Sequence, residues 1–208
     1  MTVIVHHLAN SRSQRILWLL EELGVEYECT RYERDAETNL APPELKSVHP
    51  LGKSPVIEDD GMTISESGAI IEYLCRRYGS ADWWPAMPTP EGVAHAEWMQ
   101  FGESSFFVPV MLKLYTDRLG ESAAPLKPRI DEQLSAHIDF AEQALDDRLH
   151  FVGDSWTGAD VMMSFPAEIA VMQGHGVRAP RLAAFVAKIH ERPAWQQARE
   201  KGGPYFIW

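Results

Sequence analysis

The chain has 208 residues, 45% apolar and 24% charged, an ordinary globular balance with room for one large domain or two small ones. Its 30 Asp and Glu outweigh 19 Lys and Arg to give a formal net charge of −11, which excludes a footprint for nucleic acid phosphates. No apolar run reaches the roughly 18 residues of a membrane span, the Met1-Thr2-Val3-Ile4-Val5-His6 start lacks a basic leader, and Cys29 and Cys75 give no disulfide framework; cytoplasmic residence is expected.

Val3 to His6 is β-rich and reads as a strand. Ser13 to Leu23 reads as a helix, with Ile16, Leu17, Leu19, Leu20 and Leu23 on helical spacing and Gly24 as its stop. Tyr27 to Tyr32 resumes as a strand, and this order favours a right-handed parallel unit. Pro55–Glu58 and Met62–Ile64 flank Asp60-Gly61, the signature of an antiparallel hairpin. Pro55 stands where a strand begins, so its missing donor is tolerated and a cis bond is compatible with the position. A further helix opens at Glu66-Ser67, and the unpaired N–H groups and partial positive charge of such a start form a cradle for a carboxylate. The resulting βαβ–ββα order is thioredoxin-like.

Composition shifts at the Pro-rich stretch Gly79–Pro90. The expected fold class is therefore α+β: an N-terminal thioredoxin-like domain over 1–79, a linker over 80–88 and an all-helical bundle over 89–208. Within the bundle the sequence predicts one long helix from Glu91 to Leu119, kinked by Pro109, and a second over Pro125–Leu149 with Ile130, Leu134, Ile138, Ala141 and Leu145 on one face. Thr157–Met172, Arg181–Glu191 and Pro193–Glu200 follow. Thr157 and Asp160 are spaced as a capping box, a structural device and not a metal ligand or catalytic acid. His6 and His7 alternate across a strand and the other histidines lack ligand spacing, so no metal is expected.

Five segments, Ser11-Arg12-Ser13-Gln14-Arg15, His49-Pro50-Leu51-Gly52-Lys53-Ser54-Pro55, Glu66-Ser67-Gly68-Ala69-Ile70, Gly153–Asp160 and Arg192-Pro193-Ala194-Trp195, occur in an order that resembles the cytosolic glutathione transferases. The bacterial and fungal serine-type members look closest. The resemblance implies conjugation of glutathione, as co-substrate and without a further cofactor, to small apolar electrophiles in detoxification. A free thiol has a pKa of about 8.5, and lowering it by about two units takes about 2.7 kcal/mol of preference for the anion. A hydroxyl donor beside a helix start can supply this.

Ser11 lies four residues before Arg15, as the thiolate-binding hydroxyl does in serine-type members, and is assigned that role as a hydrogen-bond donor. Asn10 and Ser13 compete for it, and Ser11 as a plain helix cap is the bland alternative. No tyrosine precedes Tyr27 and no cysteine stands in this loop. By resemblance, Ser54 before Pro55 pairs its backbone with the cysteinyl part and brings a hydroxyl near the thiol. Glu66 meets the γ-glutamyl ammonium, Ser67 its carboxylate, and Lys53 the glycyl carboxylate. Phe101, Phe106 and Tyr115 are candidates for the electrophile site, although aromatics on a long helix also fill cores. Glu103 is a candidate contact across a homodimer. A glutathione-dependent peroxidase or disulfide reductase, and a non-catalytic interaction module, remain open on the same fold.

Overall fold

The structure is a computed structural model and describes residues 2–205. In chain order its main elements are β1 (Val3–Leu8), α1 (Gln14–Glu22), β2 (Tyr27–Tyr32), α2 (Leu45–Val48), β3 (Val56–Asp59), β4 (Met62–Ser65), α3 (Ser67–Tyr78), α4 (Pro90–Gln100), α5 (Phe107–Leu119), α6 (Lys127–Ala144), α7 (Gly158–Met172), α8 (Pro180–His190) and α9 (Pro193–Gly202). They form two compact units. One comprises the residues up to Trp84 together with those from Ile189 onward; the other is Pro85–Lys188. Among the described residues no helix is long and apolar enough to cross a membrane.

The first unit is built on a four-stranded sheet of order β2-β1-β3-β4. β1 runs parallel to β2, β1 to β3 and β3 to β4 are antiparallel, and the arrangement is the thioredoxin-like one that the strand and helix order implies. The β3–β4 turn places Asp60 and Gly61 at φ 52 and 77, the left-handed pair that a two-residue hairpin needs. Helix α1 departs from the simple amphipathic pattern. Ile16, Leu17, Leu19 and Leu20 are fully buried as their spacing predicts, but so is Trp18. The reason lies far along the chain: α9 packs on α1, and Trp195 meets Trp18 edge-to-face at 5.8 Å. The Arg192 guanidinium pairs with Glu22 at this junction.

The second unit is helical around the almost wholly buried α7. The single helix expected over Glu91–Leu119 is instead two helices joined by a wide π-type turn, Phe101–Ser105. The break precedes Pro109, because proline has no N–H for the Ser105 carbonyl and its ring crowds that turn. Gly102 lets the turn sit on α7: a Cβ there would lie 2.9 Å from Met162 and 3.1 Å from Met163. Helix α6 ends at Ala144 rather than Leu149, since Leu145 is extended and Asp146 takes the Arg148 N–H in a turn. The five apolar residues expected on its face are all buried.

Candidate functional site

The strand directions bring three loops to one end of the sheet. The C-terminal ends of β1, β2 and β4 and the N-terminal end of β3 fall together, with His6 opposite Val56 and Val56 opposite Ser65. Asn10, Ser11 and Ser13 follow β1; Lys53, Ser54 and Pro55 precede β3; Glu66 and Ser67 follow β4. All therefore share this end. The Phe101, Glu103, Phe106 and Tyr115 positions belong to the second unit. There Phe106 is fully buried core, packed on Phe101 with ring centroids 5.7 Å apart. Phe101 and Glu103 are half-buried in the wide turn, and Tyr115 is exposed on α5.

Ser54 precedes a cis proline, and its hydroxyl is committed to β1. It donates to the His6 carbonyl at 2.8 Å and accepts from the Leu8 N–H at 3.1 Å. That N–H would go to the Ser54 carbonyl if antiparallel pairing continued, so the side chain replaces one rung of the ladder. Glu66 caps α3 with φ 69 and ψ 122, a left-handed conformation that costs a non-glycine residue about 1–2 kcal/mol. Its carbonyl accepts the Ile70 N–H at 2.9 Å while its side chain stays exposed, and Ser67 behind it is buried. Lys53 is exposed.

Arg34, beyond β2, was not singled out by any sequence pattern. Its guanidinium donates to the carbonyls of Ala9 (2.9 Å), Asn10 (3.0 Å) and Asn39 (3.0 Å). It thereby clamps the β1–α1 loop, where Asn10 holds a left-handed φ of 51. A lone arginine in a charged loop carries no local signal of this, since its two acceptors in the β1–α1 loop lie 24 and 25 residues away.

The hydroxyls of that loop form a buried chain. Ser11 Oγ lies 2.7 Å from Ser13 Oγ and accepts the Ser13 N–H at 3.2 Å. Ser13 Oγ lies 2.9 Å from His7 Nδ1, against 3.4 Å to the Leu8 carbonyl. Burial, and secondarily the nearby Arg31 charge, push the His7 pKa down to about 4, so the ring is neutral at pH 7; a hydrogen bond to the Gly202 backbone opposes the shift. Gly202 packs close to the ring, where a Cβ would lie 3.2 Å from His7 Nε2 and 2.9 Å from both Leu17 and Gln14.

Comparison with known proteins fits this arrangement. Residues 1–76 match the family described as glutathione S-transferase, N-terminal domain. Glutathione S-transferase 3 of Schizosaccharomyces pombe is 33% identical over 219 aligned positions, covering 96% of this chain and 87% of that protein. The chain belongs to the glutathione transferase family. A crystal structure of a family member from Actinobacillus pleuropneumoniae superposes with a TM-score of 0.86 at 33% identity, covering 97% of this chain and 93% of that one. The fold is shared with a glutathione transferase homologue from Lodderomyces elongisporus at 20% identity and a TM-score of 0.81, covering 96% and 98% of the two chains; that structure holds two glutathione molecules per subunit.

Proposed function

We propose that the protein is a cytoplasmic, homodimeric glutathione transferase that binds glutathione at the loop end of its sheet and directs the thiolate to small apolar electrophiles. One observation carries this reading. Ser11, Ser54 with cis-Pro55, and Glu66 with Ser67 converge on one sheet end, within a family whose relatives bear this name. In this reading the Ser54 backbone receives the cysteinyl unit as an added strand, while Glu66 and Ser67 at the start of α3 hold the γ-glutamyl end. Lys53 meets the glycyl carboxylate, and Ser11 donates to the sulfur. Rate comes from thiolate formation and from holding the two reactants together. Phe101 and Tyr115 are the residues assigned to the electrophile; Phe106 contributes only by supporting Phe101. Glu103 is assigned to the partner subunit's ligand.

Calorimetry with glutathione tests the binding, and ultraviolet titration of the bound thiolate tests Ser11. Ser11→Ala should raise the thiol pKa by about one to two pH units, the worth of a hydrogen bond to a charged group, and lower turnover of a chloronitroaromatic about tenfold or more. Affinity should change little. An unaltered titration removes Ser11 from the role.

A further inference from the structure

The β1–α1 loop turns at Asn10, and the backbone of that residue decides where Ser11 goes. The β1–β2 pairing runs on to Ala9, whose N–H donates to the Tyr32 carbonyl at 2.9 Å. The chain then bends at Asn10 with φ 51. Peptide groups are planar, so the two that flank a residue are related only by its own φ and ψ, and an extended residue points successive carbonyls to opposite sides. Here the Ala9 and Asn10 carbonyls meet one edge of one guanidinium. Arg34 Nε donates to the first at 2.9 Å and Nη2 to the second at 3.0 Å. Those two hydrogens lie side by side in a rigid plane, so the fork selects an Asn10 conformation that brings both carbonyls together. Asparagine enters the left-handed region more readily than most residues, yet that region stays higher in energy than the ordinary ones, and contacts must hold it there. The third donor, Nη1, reaches the Asn39 carbonyl at 3.0 Å. Asn39 belongs to a turn closed on Asp35, whose carbonyl takes the Asn39 N–H at 2.9 Å and whose carboxylate takes the Thr38 N–H at 2.7 Å and hydroxyl at 2.8 Å. The guanidinium is thus anchored on one side by a wired turn while it grips the loop on the other.

We propose that Arg34 is a positioning residue for the thiolate site: its guanidinium fork holds Asn10 left-handed and so aims Ser11 at the sulfur, by shape and not by charge. The inference rests on the glutathione reading given above, in which Ser11 donates to the sulfur. Ser11 follows Asn10 directly and is only 7% exposed. On its other side it is met by the Ser13 N–H at 3.2 Å and the Ser13 hydroxyl at 2.7 Å. The hydroxyl is therefore fixed from two directions, by the fork behind it in the chain and by the start of α1 ahead of it. Without the fork, Asn10 relaxes toward negative φ, the peptide between Asn10 and Ser11 rotates, and the Ser11 side chain moves with it. Hydrogen bonds weaken steeply as their angle closes, and a misplacement of about 1 Å costs a reaction on the order of a hundredfold. A lysine at this position keeps the positive charge but offers a compact ammonium on a flexible stem, with no planar edge to lie along two carbonyls.

The test measures the thiol pKa of bound glutathione, the glutathione Kd and kcat in wild type, Arg34→Lys, Arg34→Ala and Ser11→Ala, and in the Ser11→Ala/Arg34→Lys double variant. Both Arg34 variants should raise the thiol pKa by about one pH unit and lower kcat about tenfold, while Kd changes less than about twofold. In the Ser11→Ala background, Arg34→Lys should add nothing further to the thiol pKa, because its effect passes through that hydroxyl. A wild-type titration in Arg34→Lys would assign the effect to charge and overturn the proposal. Weakened binding with an unmoved thiol pKa overturns it too, since Arg34 would then be a ligand of a glutathione carboxylate. Full additivity in the double variant does the same. Should the Arg34 variants not fold, Asn10→Val leaves the fork in place and supplies a β-branched side chain that resists positive φ. It should raise the thiol pKa by a similar amount, and an unmoved value there sinks the idea. A wild type that binds no glutathione sinks the functional reading instead, and this use of Arg34 with it.

Discussion

His7 shows how much a single buried ring can couple to solution conditions. Its pKa is pushed below the ordinary value of 6.5 to about 4 in the folded protein. The unfolded chain therefore binds the proton more readily, and folding stability is lost as pH falls from about 6.5 and levels off below about 4. The difference corresponds to about 3 kcal/mol. Denaturant unfolding of wild type and His7→Phe at neutral pH and near pH 4 should show this acid loss in the wild type in excess of the variant. Equal losses would mean that other groups govern the acid limb. Glu66 is the second residue whose cost points to use, since its left-handed backbone is retained by a side chain that is not glycine.

Among the elements, α7 illustrates a cap that does more than its sequence pattern promised. Asp160 reaches back to the Thr157 N–H at 2.8 Å, as the Thr157/Asp160 spacing predicts. Its other carboxylate oxygen accepts the Phe151 N–H at 2.9 Å, and the side chain is fully buried. One acid thus satisfies donors on both the helix start and the preceding loop. Asp160→Ala should cost about 3 kcal/mol or more, because two buried N–H groups lose their acceptor. Asp160→Asn, which can still accept at one oxygen, should cost less. A chemical melt that ranks the two variants equally would reduce the residue to an ordinary cap.

For the molecule as a whole, charge sets a long-range condition on ligand approach. Glutathione, with two carboxylates and one ammonium, is itself a net anion, and the chain carries −11. Screening shortens the reach of that repulsion from about 30 Å at 0.01 M salt to about 8 Å at 0.15 M. The association rate of glutathione, followed by tryptophan fluorescence in a stopped-flow instrument, should therefore rise about two- to fivefold with salt over this range. A falling rate would assign control to the local attraction of Lys53.

The strands, the hairpin turn, the buried face of α6 and the Asp160 cap were legible in the sequence because each is written in residues a few positions apart. So were the loops that carry Ser11, Ser54 and Glu66, since turn and cap chemistry is local. The burial of Trp18, the Arg34 clamp, the diversion of the Ser54 hydroxyl into β1 and the close approach of Gly202 to His7 were not. Each joins partners separated by 24 to 195 residues, and no periodicity spans such a gap. Residue types and spacing determined which groups reach the sheet end. Only the tertiary structure decided that Trp18 is buried against α9 and that the Ser54 hydroxyl turns into β1, because those partners are brought together by packing and not by spacing.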